Sequence, residues 1–137
     1  MKRIFIDINI LMDIFAKREP FIENSLRIYT FGSTKNYELY TSSNTITTLH
    51  YLLKKVLVEE KIRMVLENIL ENVLIIPVDS DIIKKSLKSN HKDFEDAIQI
   101  FAAQSISEMN CIVTRDLKDF KNAEIQVYTP DQFLNQL

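Results

Sequence analysis

Five short stretches of this chain, "RIFI" (3–6), "YELYTS" (37–42), "VLIIPV" (73–78), "NCIVTRD" (110–116) and "EIQVYT" (124–129), are rich in β-branched, aromatic and aliphatic residues. Longer segments with helical spacing separate the first four. The apolar runs do not alternate with polar residues, so both faces of those strands need cover. Strands that alternate with helices and are apolar on both sides lead to a parallel sheet with helices packed on each face. The expected class is α/β, a three-layer α/β/α sandwich around a mostly parallel sheet of four to five strands, with "EIQVYT" as an edge.

The helical segments can be placed from their stripes and end signals. "NILMDIFAK" carries Ile10, Leu11, Ile14 and Phe15 on one face. "PFIENSLRIYTFGS" has Pro20 near its start and Gly32 as its natural stop. "SNTITTLHYLLKKVL" is predicted to begin behind Ser43 or Asn44, and "VEEKIRMVLENIL" follows it. Asp79 or Ser80 caps "DIIKKSLKS", "DFEDAIQIFAA" opens a helix running to about Met109, and Thr129 with Pro130 starts "DQFLNQL".

At 137 residues the expectation is one domain over 1–137, with a real hydrophobic core. One Gly, three Pro and 46% hydrophobic residues leave no room for a low-complexity tract or linker. A net charge of −2 does not advertise a nucleic-acid partner by bulk charge. The single Cys111 sits in the apolar run "CIVT" and reads as a small buried hydrophobe in a reducing compartment. Asp7 and Asp13 interrupt the apolar N-terminal stretch, no small-residue cleavage site follows, and no run reaches the ~18 apolar residues that span a bilayer. A cytoplasmic location away from membranes is expected.

In an open parallel sheet, ligands bind beyond the carboxyl ends of the strands, where strand order switches. Asp7 and Asn9 follow the first strand; Ser42, Ser43 and Asn44 follow the second; Thr114 and Asp116 follow the fourth, with Asp119 one turn on. Asp96 starts the helix that runs back beneath the fourth strand. Carboxylates that converge without partners repel and raise one another's pKa. A hard divalent cation, Mg²⁺ or Mn²⁺, relieves this and then takes phosphate oxygens as further ligands. The reaction class implied is phosphodiester hydrolysis by an activated water.

Within "KDFEDA" (92–97), Asp93 reads as the N-cap, Glu95 as solvent-facing because it shares a helical row with Gln99, and Asp96 as the residue aimed at the site. Asp7 reads as a site residue in preference to a helix cap. Lys84, Lys85, Lys88 and Lys92 form a basic stretch leading into this motif and offer a surface for a phosphate backbone. His50 and His91 stand at no metal-ligand spacing and read as structural or exposed.

Taken together, "IFIDINILMDIF", "DFEDAIQIFAA" and "CIVTRDLKDF" resemble the opening, third and closing acidic motifs of the PIN domain family, in particular its bacterial toxin members from toxin–antitoxin modules. The resemblance covers nearly the whole chain. It implies a metal-dependent ribonuclease acting on RNA, with Asp7, Asp96 and Asp116 holding Mg²⁺ or Mn²⁺. Asn9, Asp93 and Asp119 would support that shell, and Thr48 or Thr114 would orient water or phosphate. It further implies a homodimer and an antitoxin protein as partner. The chain departs from the family's pattern at one place: Thr48 stands where a Glu is usual, and no carboxylate occurs between Glu38 and Glu59. That departure leaves a second reading, a weakened or non-catalytic RNA- or partner-binding module of the same fold. A phosphatase of the haloacid dehalogenase type is disfavoured, because Asn9 stands where that family needs a second aspartate.

Overall fold

The computed structural model describes residues 1–137. Five strands form one sheet: β1 (Lys2–Ile6), β2 (Tyr37–Ser42), β3 (Val73–Ile76), β4 (Cys111–Val113) and β5 (Gln126–Tyr128), in the order β3-β2-β1-β4-β5. Every pairing is parallel, including that of the edge strand β5 with β4. The order reverses at β1, whose neighbours are β2 on one side and β4 on the other. Ile6 lies opposite Val113, so the chain leaves both strands at the same edge, and that edge is the switch point.

Seven α-helices cover the sheet: α1 (Ile8–Phe15), α2 (Ile22–Thr30), α3 (Ser43–Leu53), α4 (Glu59–Asn72), α5 (Ser80–Lys88), α6 (Phe94–Gln104) and α7 (Pro130–Leu134). The pleat sends successive side chains to opposite faces and so divides the core in two. Ile4, Ile6, Cys111 and Val113 join Ile10, Leu11, Ile28, Leu49, Ile62 and Phe133 in one layer, which is built from α1, α2, α3, α4 and α7. Phe5 and Ile112 face the other way, against Ile82 of α5 and Ile98, Ala102 and Ala103 of α6. Cys111 is a core residue, and burial pushes its thiol up to about 12. No helix is long and apolar enough to cross a membrane.

Several element ends differ from the sequence expectation. The N-cap of α3 is Ser42, one residue earlier than predicted: its Oγ accepts from Thr45 N at 3.2 Å. Ser43 is freed to accept from Val78 N at 3.0 Å, which ties the start of α3 to the exit of β3. Helix α6 stops at Gln104 and not near Met109, because the chain must turn back to enter β4; Ser105 Oγ caps it by donating to Ala102 O at 2.7 Å. Leu74 in β3 is 49% exposed, since β3 is a sheet edge.

Gly32 is not a left-handed helix stop, for no glycine here has positive φ. It lies in a 3₁₀ turn (Phe31–Ser33) after α2, where a Cβ would collide with the Asn72 carbonyl oxygen and meet Leu39 Cδ1 at 3.2 Å. The expected caps at Asp79 and Thr129 are present, the latter as a full capping box with Gln132.

Candidate active site

Asp7 leaves β1, caps α1 and lines the cleft described below. Its Oδ1 accepts from the first backbone N–H of α1, Ile8 N, at 2.8 Å. Its Oδ2 accepts from Asn9 Nδ2 at 3.1 Å and from Thr114 Oγ1 at 2.8 Å, across the β1–β4 edge. The sequence expectation had treated capping and site duty as alternatives. A carboxylate has two oxygens, and here they divide the work. Burial drives the Asp7 pKa upward, the Thr114 and Ile8 hydrogen bonds pull it back, and the charge on Asp116 raises it again.

Thr114 is fully buried and its hydroxyl is saturated. It donates to Asp7, accepts from Asn9 Nδ2 at 3.3 Å and accepts from Asp116 N at 3.1 Å. Asn9 Oδ1 in turn accepts from Arg115 N at 3.3 Å. Asp7, Asn9 and Thr114 therefore fix the backbone that presents Asp116. A second clamp holds the same loop: Arg115 Nε and Nη2 donate to Asp13 Oδ2 and Oδ1 at 2.7 and 2.9 Å, and its guanidinium lies 3.8 Å from the ring centroid of Phe21. Asp13 is fully buried, so this bidentate pair is one of the few charged contacts inside the protein.

Asp96 enters from the other layer. Asp93 is the N-cap of α6, accepting from Asp96 N at 3.0 Å, as expected. The α6 stripe of Ala97, Ile98, Ile100 and Ala103 is buried against the sheet, and this sets the direction of the helix start. Asp96 is pushed up to about 7, first by burial and then by the charges of Asp119, Asp93, Asp7 and Asp116. The Asp119 carboxyl is raised chiefly by its hydrogen-bonding contact with Asp116, then by burial and the same neighbouring charges. Five carboxylates from three segments thus share one field. No three of them lie close enough to enclose a bare ion.

A cleft of about 280 Å³ opens beside them, lined by Asp7, Asp96 and Thr48 together with Asn44, Glu95 and Gln99. It contains no basic side chain. Thr48, read from the sequence as standing where a Glu is usual, lines this cleft. Glu95 was expected to face solvent away from the site; it is exposed, but it lines this cleft. Its shared row with Gln99 was legible, but the side on which that row meets α3 was not. Gln99 Nε2 donates to Thr45 Oγ1 at 3.1 Å, while its buried Oε1 has no hydrogen-bond partner.

Among the lysines expected to meet a phosphate backbone, only Lys92 lines a cleft containing Asp96. Lys84, Lys85 and Lys88 stay on α5, with Lys85 paired to Asp81 at 3.1 Å. His50 is 2.9 Å from Glu59, which that contact helps to hold at about 2, and takes no part in the site.

Residues 3–118 match the family described as PIN domain. The chain belongs to the PIN domain family. This PIN domain is also 30% identical over 139 residues to Ribonuclease VapC1 of Aquifex aeolicus (strain VF5), a match spanning 96% of this chain and 93% of that protein. A toxin–antitoxin complex from Klebsiella pneumoniae contains a chain that superposes with a TM-score of 0.65 at 26% identity, covering 92% of this chain and 96% of that one. Mycobacterium tuberculosis VapC20, a sarcin-ricin loop cleaving toxin, shares the fold at TM-score 0.68 and 16% identity, covering 89% and 95% of the two chains.

Proposed function

We propose that this PIN domain is a metal-dependent endoribonuclease and the toxin of a toxin–antitoxin pair. The observation that carries the reading is the convergence of Asp7, Asp96, Asp116 and Asp119 at the switch point, with Asp96 pushed up to about 7 by burial and by its neighbours' charges. An oxygen-rich cleft without a basic side chain suits a hard divalent cation that keeps part of its water shell. In this reading Asp7, Asp96 and Asp116 would hold Mg²⁺ or Mn²⁺ in part through the waters it keeps, since no three carboxylates enclose a bare ion. Such a cation, when bound, generates a nucleophilic water and neutralises charge on the phosphate.

The chain's own residues then have distinct tasks. Asn9 and Thr114 hold Asp7 and Asp116 in register, Asp93 fixes the start of α6, and Asp119 adds charge beside Asp116. Because the Thr114 hydroxyl is saturated, the task of orienting water or phosphate falls to Thr48. Glu95 supplies the carboxylate that Thr48 lacks, from the facing wall of the same cleft. The kinship with Ribonuclease VapC1 supports the choice of RNA over other phosphodiesters.

The antitoxin partner is supported by the likeness to the Klebsiella toxin–antitoxin complex. Tyr51, Val56 and Val58 around the α3–α4 turn are 66%, 58% and 67% exposed and offer apolar surface to a protein partner or a second copy of the chain. A cytoplasmic location accords with an RNA substrate.

The test is incubation of the purified protein with single-stranded and structured RNAs in Mn²⁺, in Mg²⁺ and in chelator, beside Asp96→Asn. Cleavage that requires the cation and is lost in the variant supports the reading; cleavage that survives in Asp96→Asn or in chelator removes it. The uncharged Thr48 favours one competing reading, a binding module without turnover, for which RNA would be bound but left intact in Mn²⁺.

A further inference from the structure

A second cleft, of about 430 Å³, lies on the other side of Asp96 and has no apolar residue in its lining. Lys92, Lys118 and Lys121 line it, interleaved with Asp93, Asp96 and Asp119. It shares Asp96 with the carboxylate cleft, and it shares Asn90, His91 and Asn122 with a third cleft of about 410 Å³. The shared residues put Asp96 where this cleft meets the carboxylate cleft, and Asn90, His91 and Asn122 where it meets the third.

The lysines come from the same two segments that carry the acidic residues. Lys92 directly precedes Asp93, and Lys118 and Lys121 flank Asp119 in and just after the 3₁₀ turn Leu117–Phe120. All three lysines are exposed, and none takes part in an ion pair, unlike Lys85. No Phe or Tyr lines the groove, and its one imidazole, His91, is packed edge-on to Phe101 with ring centroids 5.8 Å apart.

We propose that this groove holds the sugar–phosphate backbone of a single RNA strand next to the bond being cut, with Lys92, Lys118 and Lys121 on successive phosphates and Asn90, His91 and Asn122 hydrogen-bonding the nucleotide beyond. The assignment rests on the ribonuclease reading, because it places the scissile phosphate at Asp96. A polar groove with cations free of ion pairs and no Phe or Tyr face recognises the backbone more than the bases, so binding through it depends on salt more than on sequence.

The experiment is fluorescence anisotropy of a labelled single-stranded RNA oligonucleotide with the full chain in chelator, over a range of KCl concentrations. For single strands each phosphate contact contributes about 0.7 to the slope of log K against log salt. Lys118→Ala/Lys121→Ala is expected to lower that slope by about 1.4, Lys118→Arg/Lys121→Arg to keep it, and Lys84→Ala/Lys85→Ala on α5 to leave it unchanged. A parental slope in the groove variant, or a slope lost in the α5 variant, overturns the proposal. Failure of the nuclease reading is seen separately, as absent cation-dependent cleavage; an unchanged slope with cleavage intact refutes the groove alone.

Discussion

Thr114 Oγ1 donates a 2.8 Å hydrogen bond to Asp7 Oδ2 between residues 107 apart in sequence, joining the ends of β1 and β4. Asp7 is 7% exposed, so this bond, with those from Ile8 N and Asn9 Nδ2, is what makes a buried carboxylate tolerable. Thr114→Val keeps the shape and removes the donor. Asp7 Oδ2 then keeps only the longer bond from Asn9 Nδ2, and Asp116 N loses its acceptor; a lost hydrogen bond to a charged group costs about 1.5–3 kcal/mol, so urea unfolding should show a loss of that size, with Thr114→Ser losing less.

Asp96 sets the pH dependence of the metal-free protein. An unfolded aspartate titrates near ~3.9, whereas Asp96 in the fold is pushed up to about 7. Between those values the folded state binds the extra proton, so stability contributed by the protonated form is present at low pH and lost as pH rises through about 7. Asp7 is raised as well and acts in the same direction. Asp96→Asn removes the Asp96 contribution, so its Tm advantage over the parent in chelator should be larger at pH 8 than at pH 5. A difference in Tm that does not vary with pH would count against a carboxylate field at this site.

The Asp13–Arg115 pair predicts an asymmetric mutational response. Asp13 is fully buried, and Arg115 also stacks on Phe21. Removing one partner of a buried pair leaves an uncompensated charge and costs about 3–5 kcal/mol. Asp13→Leu should therefore unfold at markedly lower urea, and Asp13→Leu/Arg115→Met should recover part of the loss. A double variant no better than the single would mean that the pair is not the source of the cost.

Gly32→Ala places a methyl group against the Asn72 carbonyl, which is backbone and yields little. Overpacking of this kind costs about 1–3 kcal/mol, and chemical denaturation should register it. A neutral substitution would show that α4 and the turn after α2 can part without penalty.

The sheet and the position of the acidic edge were legible because local chemistry determines them. Apolar runs such as "RIFI" and "CIVT" need cover on both faces, and a residue that follows a parallel strand must emerge at its carboxyl edge. Asp7, Asp116 and Thr114 were placed there from sequence, and the structure brings them to that edge with Asp96. What could not be read depends on contacts between distant segments. Glu95 lines the cleft because of how α6 meets α3, Gly32 is required by a carbonyl 40 residues away, and Lys118 and Lys121 join Lys92 only once two loops are juxtaposed. Ser42 displaced Ser43 as cap because β2 runs into α3 without a loop.

Binding of Mn²⁺, followed by electron paramagnetic resonance of the free ion in parent, Asp96→Asn and Thr48→Glu proteins, tests the central claim without reliance on turnover. The account predicts saturable binding by the parent, affinity lower by at least about tenfold in Asp96→Asn, as expected when a ligand or its support is lost, and tighter binding in Thr48→Glu. Equal Mn²⁺ affinity in the parent and Asp96→Asn would contradict it.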